Sequence, residues 1–207
     1  MSYYLPHYYI QRDSLVEDFC DLVNNNESHQ KEVYTETAQF AKANKLKSII
    51  DIGCGAAYKL LKYFGDIDTL GIDLPKTIKH LNKCHPHKKW MVSDPSTFGK
   101  LRADIVLCSD VIEHIDRPDE FAKAMTKIKA KYFFFSTPNR DLLYPKDHKG
   151  PPRNPTHYRE WNDLEFKFFL EDFFEVLEFS NTNIKQGTML FKCVKKKPRV
   201  KKNTLIT

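Results

Sequence analysis

The chain has 207 residues and a mass of 24.3 kDa, with 41% hydrophobic, 13% aromatic and 29% charged residues. A chain of this size can build one domain with a full hydrophobic core, and its composition excludes a mostly disordered, collagen-like or disulfide-scaffold protein. The net charge of +6 is uneven: residues 192–207 hold seven basic residues and no acid, so the other 191 residues sum to −1. A nearly neutral body with a basic tail is not the broad basic surface of a dedicated nucleic-acid-binding protein.

Signals for membrane insertion or secretion are lacking. No stretch of 18 apolar residues occurs, and the first residues lack the basic and then apolar run of a secretory signal. The cysteines are scattered and contain no CxxC pair, which indicates free thiols in a reducing compartment: Cys20, Cys54, Cys84, Cys108 and Cys193. We therefore expect a cytoplasmic protein without a membrane span.

Three regions follow one another along the chain. Residues 1–30 form an N-terminal segment that opens with Tyr3, Tyr4, Tyr8 and Tyr9. We expect this segment to pack on the edge of a sheet or to close as a lid over a bound ligand. Residues 31–194 form the folded domain. Residues 195–207 form a basic tail, expected to be a solvated end, with contact to phosphates or an anionic membrane as the alternative.

Short apolar runs alternate with amphipathic segments from residue 31 onward. Helices are predicted at Lys31–Ala43, Ala57–Phe64, Lys76–Cys84, Pro118–Lys129 and Asn162–Phe173. Strands are predicted at Ser48–Ile52, Thr69–Ile72, Lys89–Val92, Asp104–Cys108, Tyr132–Phe135, Phe174–Phe179 and Met189–Val194. This alternation indicates an α/β fold: a doubly wound, mostly parallel seven-stranded sheet whose last two strands form an antiparallel hairpin.

A glycine turn follows the first predicted strand. Gly53 and Gly55 lie between an apolar strand and a helix, and glycine allows both a sharp turn and a close approach of the backbone to a ligand. Tyr58 excludes the nicotinamide fingerprint GxGxxG, which needs glycine or alanine there, and no phosphate loop ending in Gly-Lys-Ser/Thr occurs. The turn by itself is consistent with a ligand site or with a simple strand-to-helix connection.

Polar residues end the next two predicted strands. Asp73 lies 20 residues after Gly53, at a position where a carboxylate can accept hydrogen bonds from ribose hydroxyls. Ser93 and Asp94 end the third strand, where Asp94 can meet the exocyclic amine of an adenine. Each acid alone is also a common helix cap. Because the carboxyl ends of parallel strands share one edge of a sheet, these groups and the glycine turn together predict a nucleoside-binding crevice.

With these motifs the chain resembles the class I S-adenosylmethionine (SAM)-dependent methyltransferases, over roughly residues 30–195. Asp51-Ile52-Gly53-Cys54-Gly55 looks like the first motif of that family, and Ser109-Asp110-Val111-Ile112-Glu113-His114 looks like the motif beneath the methionine end of the cofactor. Ala57 stands where many members carry a third glycine. The resemblance implies a Rossmann-like fold, SAM as cofactor, and a cofactor site made of Asp51, Gly53, Gly55, Asp73, Leu74, Asp94 and Ser109.

Side chains able to act on an acceptor follow the fourth strand and the proline-rich loop. The sulfonium of SAM makes methyl transfer an in-line displacement, so the protein has to align the acceptor and, for a hydroxyl, take its proton. Imidazoles titrate near neutral pH, which makes His114 and His157 the leading candidates for the base. Asp110 is a third catalytic candidate, and it meets Glu113 or His114 if a helical turn starts there.

The same side chains are candidate metal ligands. Two carboxylates and two imidazoles suit a divalent cation such as Mg²⁺ or Mn²⁺: Asp110, Glu113, His114 and His157. The resemblance supports two interpretations. Small-RNA 3′-terminal methyltransferases hold a metal with a similar acid-x-x-Glu-His and a later histidine, whereas many small-molecule members carry Glu-His at this place without a metal. The alternative to a metal site is therefore a hydrogen-bonded network that orders the cofactor loop.

The long loop between Pro138 and Pro155 has the position of an acceptor-binding element. Asn139 and Arg140 offer hydrogen bonds to hydroxyl groups, and the ring of Tyr144 can lie against the face of a sugar. Alternatively, Asn139 and Arg140 only fix the loop to the body of the domain.

The run from Asp110 to Trp161 resembles methyltransferases associated with glycosyltransferases in surface-polysaccharide gene clusters. This resemblance implies an O-methyltransferase for a small molecule or glycan, with a deoxysugar hydroxyl such as that of rhamnose as acceptor and a glycosyltransferase as partner or fusion. Two other functions stay open. A metal-assisted RNA 2′-O-methyltransferase is one, although the near-neutral body makes nucleic acid not the expected partner. A non-catalytic SAM-binding partner subunit is the other.

Overall fold

Helices and strands alternate along the computed structural model, which describes residues 3–15, 28–145 and 148–197. The strands are β1 (Ser48–Ile52), β2 (Asp68–Asp73), β3 (Lys89–Val92), β4 (Ile105–Ser109), β5 (Tyr132–Pro138), β6 (Phe174–Asn183) and β7 (Thr188–Lys195). The α-helices are α1 (Lys31–Ala43), α2 (Tyr58–Phe64), α3 (Pro75–Cys84), α4 (Pro118–Met125), α5 (Arg140–Leu143) and α6 (Asp163–Glu171). Two 3-10 helices occupy Pro95–Lys100 and Ile112–His114. Every predicted helix and strand is present.

The strands form one sheet in the order β3-β2-β1-β4-β5-β7-β6. Strands β1 to β5 pair in parallel, whereas β7 pairs antiparallel with both β5 and β6. The predicted Rossmann-like, doubly wound, mostly parallel sheet with an antiparallel C-terminal hairpin is thereby confirmed. The strand order reverses between β1 and β4, and in open α/β sheets the ligand crevice lies at the carboxyl ends of the strands next to such a reversal.

Some observed bounds differ from the predicted ones. The helix predicted over Pro118–Lys129 ends at Met125, because the N–H groups of Lys127 and Ile128 bond to carbonyls three residues back. The hairpin strands β6 and β7 extend beyond their apolar runs. Pairing in the hairpin satisfies the backbone of polar residues that carry no strand signal of their own.

Hydrophobic residues cover both faces of the sheet. Phe133 and Phe135 on β5 belong to one buried cluster and Phe134 to the other, which is the alternation expected of a strand. The cluster under α4 and α6 includes Val106, Met125, Trp161, Phe166 and Phe169. The cluster under α1, α2 and α3 includes Val33, Ile49, Leu60, Phe64 and Ile78. Each fully buried large side chain stabilises the fold by about 1.5–3 kcal/mol, so both layers hold the strand ends in place.

The described part of the N-terminal segment packs against α6 and not against an edge strand. The Tyr3 ring lies edge-on to Phe169 at 6.4 Å, and the Tyr3 carbonyl accepts a hydrogen bond from the indole N–H of Trp161 at 2.9 Å. The Tyr4 hydroxyl donates to Asp172 at 2.9 Å, just beyond the end of α6. In the contacts of the described residues, Tyr3 and Tyr4 pack on α6 and Tyr9 lies against Arg140, so the expected packing on the sheet edge is not observed. Residues 16–27 of this segment lie outside the described residues, and the role of the segment as a lid stays a prediction.

Four cysteines are described, and none forms a disulfide: Cys54, Cys84, Cys108 and Cys193. This agrees with the prediction of free thiols. Within the described ranges, no helix is both long and apolar enough to cross a lipid bilayer. Residues 198–207, most of the basic tail, and Cys20 lie outside the described residues.

Candidate active site

The glycine turn after β1 forms one wall of a cavity of about 740 Å³ at the carboxyl ends of the strands. Gly53 has a φ of 77°, and a Cβ there would lie 2.2 Å from Cγ2 of Val111, so both conformation and space require glycine. Gly55 has a φ of 51°, and its N–H donates to Oδ2 of Asp73 at 2.8 Å. The turn therefore ties β1 to the end of β2, in addition to connecting β1 to α2.

Asp73 lies at the end of β2 and lines the cavity together with Leu74 and Ser93. Its two carboxylate oxygens accept the N–H groups of Gly55 and Leu74, at 2.8 and 2.7 Å. Each oxygen keeps a lone pair that can accept a hydrogen bond from a ligand hydroxyl. Asp73 thus lines the cavity with free lone pairs, and its contact with a ribose stays a prediction.

Asp94 has a different environment. The Oδ1 atom of Asp94 accepts hydrogen bonds from the Ser96 N–H at 2.9 Å and from the Ser96 hydroxyl at 2.7 Å. Asp94 therefore caps the following 3-10 helix. These hydrogen bonds lower the pKa of the Asp94 carboxyl. Ser93, and not Asp94, is among the residues that line the cavity. A contact between Asp94 and an adenine amine stays a prediction.

Asp51 is buried in β1, directly before the glycine turn. The Tyr34 hydroxyl on α1 donates to Oδ2 of Asp51 at 2.9 Å, while Oδ1 has no hydrogen-bond partner among the described residues. Burial raises the pKa of Asp51 to about 7, against the lowering effect of the Tyr34 hydrogen bond. Asp51 is not among the residues that line the cavity, so its predicted part in the cofactor site stays a prediction.

Asp110 and Ser109 are joined to β5 through Ser136. The Ser136 hydroxyl donates to Oδ1 of Asp110 at 2.8 Å and lies 2.8 Å from the hydroxyl of Ser109. The other Asp110 oxygen is 3.6 Å from Nε2 of His29. Asp110 has a φ of 51°, a conformation that costs a non-glycine residue about 1–3 kcal/mol. These contacts hold both carboxylate oxygens at the cavity wall.

Glu113 lies in the short 3-10 helix after β4 and is completely buried. Neither of its carboxylate oxygens has a hydrogen-bond partner in the described part of the chain. Burial, and then the charge of Asp110, raises the pKa of Glu113 well above its usual range. A buried carboxyl without partners is costly to ionise unless a cation stands beside it.

Two imidazoles stand edge to face beside Glu113. The rings of His114 and His157 are 4.6 Å apart at an interplanar angle of 84°. The Nδ1–H of His114 donates to the Thr156 carbonyl at 2.7 Å. Burial, and then the neighbouring His157, lowers the pKa of His114 to about 4, so His114 is neutral at pH 7.

His157 is held at both ring nitrogens. Its Nδ1–H donates to Oε1 of Glu160 at 2.6 Å, and the Asn154 amide donates to its Nε2 at 2.9 Å. The Glu160 side chain is itself buried. Nε2 therefore carries the lone pair of His157 and faces the side of the ring away from Glu160. The spacing His157-x-x-Glu160 was present in the sequence, but it lies in a loop, where no helical period predicts a contact.

Three of the four predicted metal ligands come together. Ligand atoms of Glu113, His114 and His157 all lie within 4.8 Å of one another. Asp110 is not part of this cluster, because Ser136 and His29 hold its carboxylate. One carboxylate and two imidazoles, with both carboxylate oxygens unpartnered, are a donor set that fits a divalent cation.

The predicted acceptor-binding residues separate into two groups. Asn139 caps α5 and bonds to Asn181, and Arg140 is buried, donating to Oε1 of Glu165 at 2.6 Å with the Tyr9 ring 4.8 Å away. Neither residue lines the cavity, so they fix the loop to the body, and the predicted acceptor contact of Asn139 and Arg140 has no support in this geometry. Tyr144 does line the cavity, but its ring stacks on His148 at 4.1 Å and the Arg153 guanidinium lies 5.1 Å from its centre, so its contact with a sugar face stays a prediction.

Arg159 joins the N-terminal segment to the loop that carries Glu113 and His114. Its guanidinium donates to the carbonyls of Ile115 and Asp116, at 2.6 and 2.9 Å, and to the Gln11 side chain at 2.5 Å. The Tyr3 ring covers it at 4.8 Å. Arg159 is buried, and with these contacts it fixes the loop next to His157.

The cavity wall is rich in acids. Besides the buried Glu113, four acidic side chains in the described part of the chain line it, against the side-chain cation of Lys59 and three histidines: Asp73, Asp110, Asp116 and Glu160. Such a wall attracts cations and repels anions. Sequence reasoning did not assign His29, Asn154 or Glu160 to the site, because their contacts join segments that lie apart in the chain or in irregular loops.

Comparison with known families agrees with this arrangement. The model of the methyltransferase domain family matches residues 26–178. Among curated proteins, the mitochondrial ubiquinone biosynthesis O-methyltransferase of Saccharomyces cerevisiae is 28% identical over 116 residues, 46% of this chain and 35% of that protein. The match thus spans about a third of the length of this relative.

Solved structures share the fold at low sequence identity. The magnesium protoporphyrin IX methyltransferase of Synechocystis PCC 6803 with bound SAM superposes with a TM-score of 0.60 at 15% identity, over 81% of this chain and 80% of that one. The methyltransferase domain of a bacterial Hen1 gives 0.63 at 20%, over 80% and 97%. The small RNA methyltransferase HEN1 gives 0.61 at 20%, over 89% of this chain and 27% of that one.

Proposed function

The chain belongs to the SAM-dependent methyltransferases of the methyltransferase domain family, and from this premise we propose that it methylates a hydroxyl oxygen of its acceptor, with His157 taking the proton. The observation that carries the proposal is the buried pair of His157 and Glu160, joined at 2.6 Å in the cavity next to the glycine turn. A carboxylate that orients an imidazole is a recurring arrangement for proton transfer in enzymes.

SAM supplies an electrophilic methyl group on its sulfonium. The chain offers it a glycine turn that only glycine can form at Gly53, a carboxylate at the end of β2 in Asp73, and a buried acid in Asp51. The acid-rich wall favours a cationic cofactor over an anionic one.

The hydrogen bonds of His157 define its role. Because Nδ1–H donates to Glu160, Nε2 is the atom that accepts a proton. An acceptor hydroxyl that displaces the Asn154 amide would donate to Nε2 and transfer its proton there. Glu160 then stabilises the imidazolium, and His114, neutral at pH 7, adds no opposing charge.

The unpartnered carboxylate oxygens of Glu113 favour a second candidate mechanism, in which a metal ion activates the acceptor hydroxyl. Glu113, His114 and His157 would hold a divalent cation such as Mg²⁺ or Mn²⁺, which supplies a Lewis acid for the acceptor oxygen. In that case Thr156 and Glu160 would orient the two imidazoles by their bonds to Nδ1.

We propose a neutral sugar hydroxyl as the acceptor, on a small molecule or glycan, with a deoxysugar such as rhamnose as the leading case and a glycosyltransferase as the partner. The resemblance of the run from Asp110 to Trp161 supports it. RNA is the second candidate, supported by the shared fold of RNA methyltransferases, but the acid-rich wall counts against a polyanion. A SAM-binding subunit without catalysis is the third.

The test is release of S-adenosylhomocysteine with rhamnosides or with short RNA, each with and without EDTA. Release of S-adenosylhomocysteine that depends on a rhamnoside supports the sugar acceptor. Loss of this release in EDTA favours the mechanism with a bound metal ion over the one in which His157 acts as base without a metal. Release with RNA alone contradicts the sugar acceptor but leaves O-methylation in place. Replacing His157 by Ala should abolish release while the SAM affinity stays within a few-fold. Binding of SAM without turnover on any acceptor class would contradict the enzyme itself.

A further inference from the structure

The edge of the sheet opposite the cavity collects basic side chains from four neighbouring strands. The basic residues lie just before β1, β4 and β5 or at the end of β7, and these four strands are adjacent in the sheet. We call this surface the basic edge, and it consists of Lys47, Arg102, Lys129, Lys131, Lys195, Lys196 and Lys197. Lys195, Lys196 and Lys197 begin the basic C-terminal tail, and the fold brings the other four basic residues, which are distant in sequence, next to them.

Backbone contacts fix these residues side by side. Lys129 forms a bridge with Arg102, and its N–H donates to the Leu101 carbonyl at 3.0 Å. Lys47 donates its N–H to Asp104 at 2.6 Å, and the ammonium of Lys131 lies 2.8 Å from the same carboxylate. Phe133 pairs with Cys193 in antiparallel register, which brings the start of β5 next to the end of β7.

The positive charge of the basic edge is largely uncompensated. The four strand ends hold one acid, Asp104, against seven basic residues, and the flanking ends of β2 and β6 add Asp66, Asp68, Asp172 and Glu175. Lys131 pairs with Asp104, and none of the other six forms an ion pair within residues 3–15, 28–145 and 148–197. Burial, and then the charge of Lys129, lowers the pKa of Lys195, which reflects like charges held close together. All seven side chains are exposed except Lys195, which is partly buried.

We propose that the basic edge binds an anionic membrane surface, with the cavity facing away from the lipid. The five residues of β1 separate the basic edge from the glycine turn by roughly 16 Å. A nucleic acid on the basic edge would thus be held away from the cavity whose wall repels it, whereas lipid headgroups need no access to the cavity. The charges line the ends of four strands and form a broad surface, as contact with a bilayer requires. Each basic residue near an anionic bilayer raises partitioning about fivefold.

The experiment is co-sedimentation of the full chain with vesicles of phosphatidylcholine, alone or with phosphatidylserine at about 30%. We expect sedimentation with the mixed vesicles, none with pure phosphatidylcholine, and release in 0.5 M KCl, where surface charges are screened. Lys129→Glu with Lys196→Glu should lower the partition coefficient at least 25-fold. Lys79→Glu with Lys185→Glu is the matched control, because it changes the same charge at exposed lysines away from the basic edge, and it should stay within threefold.

Three results would overturn the proposal. The first is a wild-type chain that does not sediment with phosphatidylserine vesicles. The second is an equal loss in both double variants, which would assign the effect to net charge. The third is tighter binding of a 20-nucleotide RNA through Lys129 and Lys196 than of the vesicles, which would make nucleic acid the partner. The thermal unfolding temperature and SAM affinity of both variants should match the wild type, so this test is independent of the acceptor.

Discussion

The Nδ1 atom of His157 lies 2.6 Å from Oε1 of Glu160, with side-chain exposures of 8% and 1%. This contact decides which nitrogen of His157 can take a proton, and it connects the acceptor loop to the cavity. Glu160 also acts on Tyr144: burial, and then the charge of Glu160, raises the pKa of Tyr144 to about 12.

Replacing Glu160 by Gln should lower kcat/KM by about 10- to 100-fold, the usual effect of removing a group that orients a functional imidazole. The amide can still accept the Nδ1–H hydrogen bond, but it no longer stabilises the imidazolium. SAM affinity should not change, because Glu160 lies on the acceptor side. Steady-state kinetics and calorimetric titration with SAM check this. Glu171→Gln, on α6 and away from the cavity, is the control. A loss of SAM binding in the Glu160 variant would show that Glu160 only maintains the fold.

Replacing Glu113 by Gln should weaken metal binding and stabilise the metal-free chain. Without a cation the buried, unpartnered carboxylate is a cost, and the neutral amide should raise the free energy of unfolding at pH 8 by about 1–3 kcal/mol. The affinity for Mn²⁺, followed by electron paramagnetic resonance, should fall at least tenfold. Glu120→Gln on the exposed side of α4 should change neither quantity. Wild-type protein that does not bind Mn²⁺ would exclude the metal candidate.

Asp51 should make the stability of the cofactor-free chain depend on pH. Its pKa is about 7 in the folded chain and about 3.9 in the unfolded chain. The folded state therefore holds the proton more tightly, and the stability that this provides is complete below pH 4 and lost as the pH rises through 7. Between pH 6 and pH 8 the free energy of unfolding should fall by about 1 kcal/mol more in wild type than in Asp51→Asn.

Urea unfolding at a series of pH values measures this difference. Tyr34→Phe removes a hydrogen bond that stabilises the charged carboxylate, so the loss of stability should move to higher pH in that variant. Parallel curves for wild type and Asp51→Asn would show that Asp51 does not titrate in this range.

Replacing Gly53 by Ala should destabilise the chain and abolish SAM binding. The left-handed conformation costs about 1–2 kcal/mol for alanine, and displacing Val111 from a contact of 2.2 Å adds about 1–3 kcal/mol. Gly99→Ala is the matched control, because its Cβ would meet nothing closer than Lys127 at 3.8 Å, and it should be neutral. Thermal unfolding with and without SAM tests both variants. Normal SAM affinity in Gly53→Ala would contradict the role of the turn.

Local chemistry alone determined the fold class and the cofactor edge. The strand, glycine turn and helix around Gly53 are contiguous in sequence, and apolar runs separated by amphipathic segments leave few arrangements other than a parallel sheet. Since the carboxyl ends of parallel strands lie at one edge of the sheet, the proximity of Asp73 and the glycine turn could be predicted from the sequence alone. Asp94, like Asp73, follows a strand. However, its carboxylate accepts a hydrogen bond from Ser96, two residues away, and so caps a helix.

Only the tertiary structure decided which side chains of the irregular loops face the cavity. Arg140 and Tyr144 lie four residues apart in the same loop, yet Glu165 and Tyr9 draw the first into the body while the second lines the cavity. His157 and Glu160 meet because Thr156 and Asn154 shape the loop around them. The basic edge is likewise a product of strand order. Loops have no period that aligns side chains, and the ends of distant strands become neighbours only when the sheet forms, so these contacts depend on packing between segments far apart in the chain.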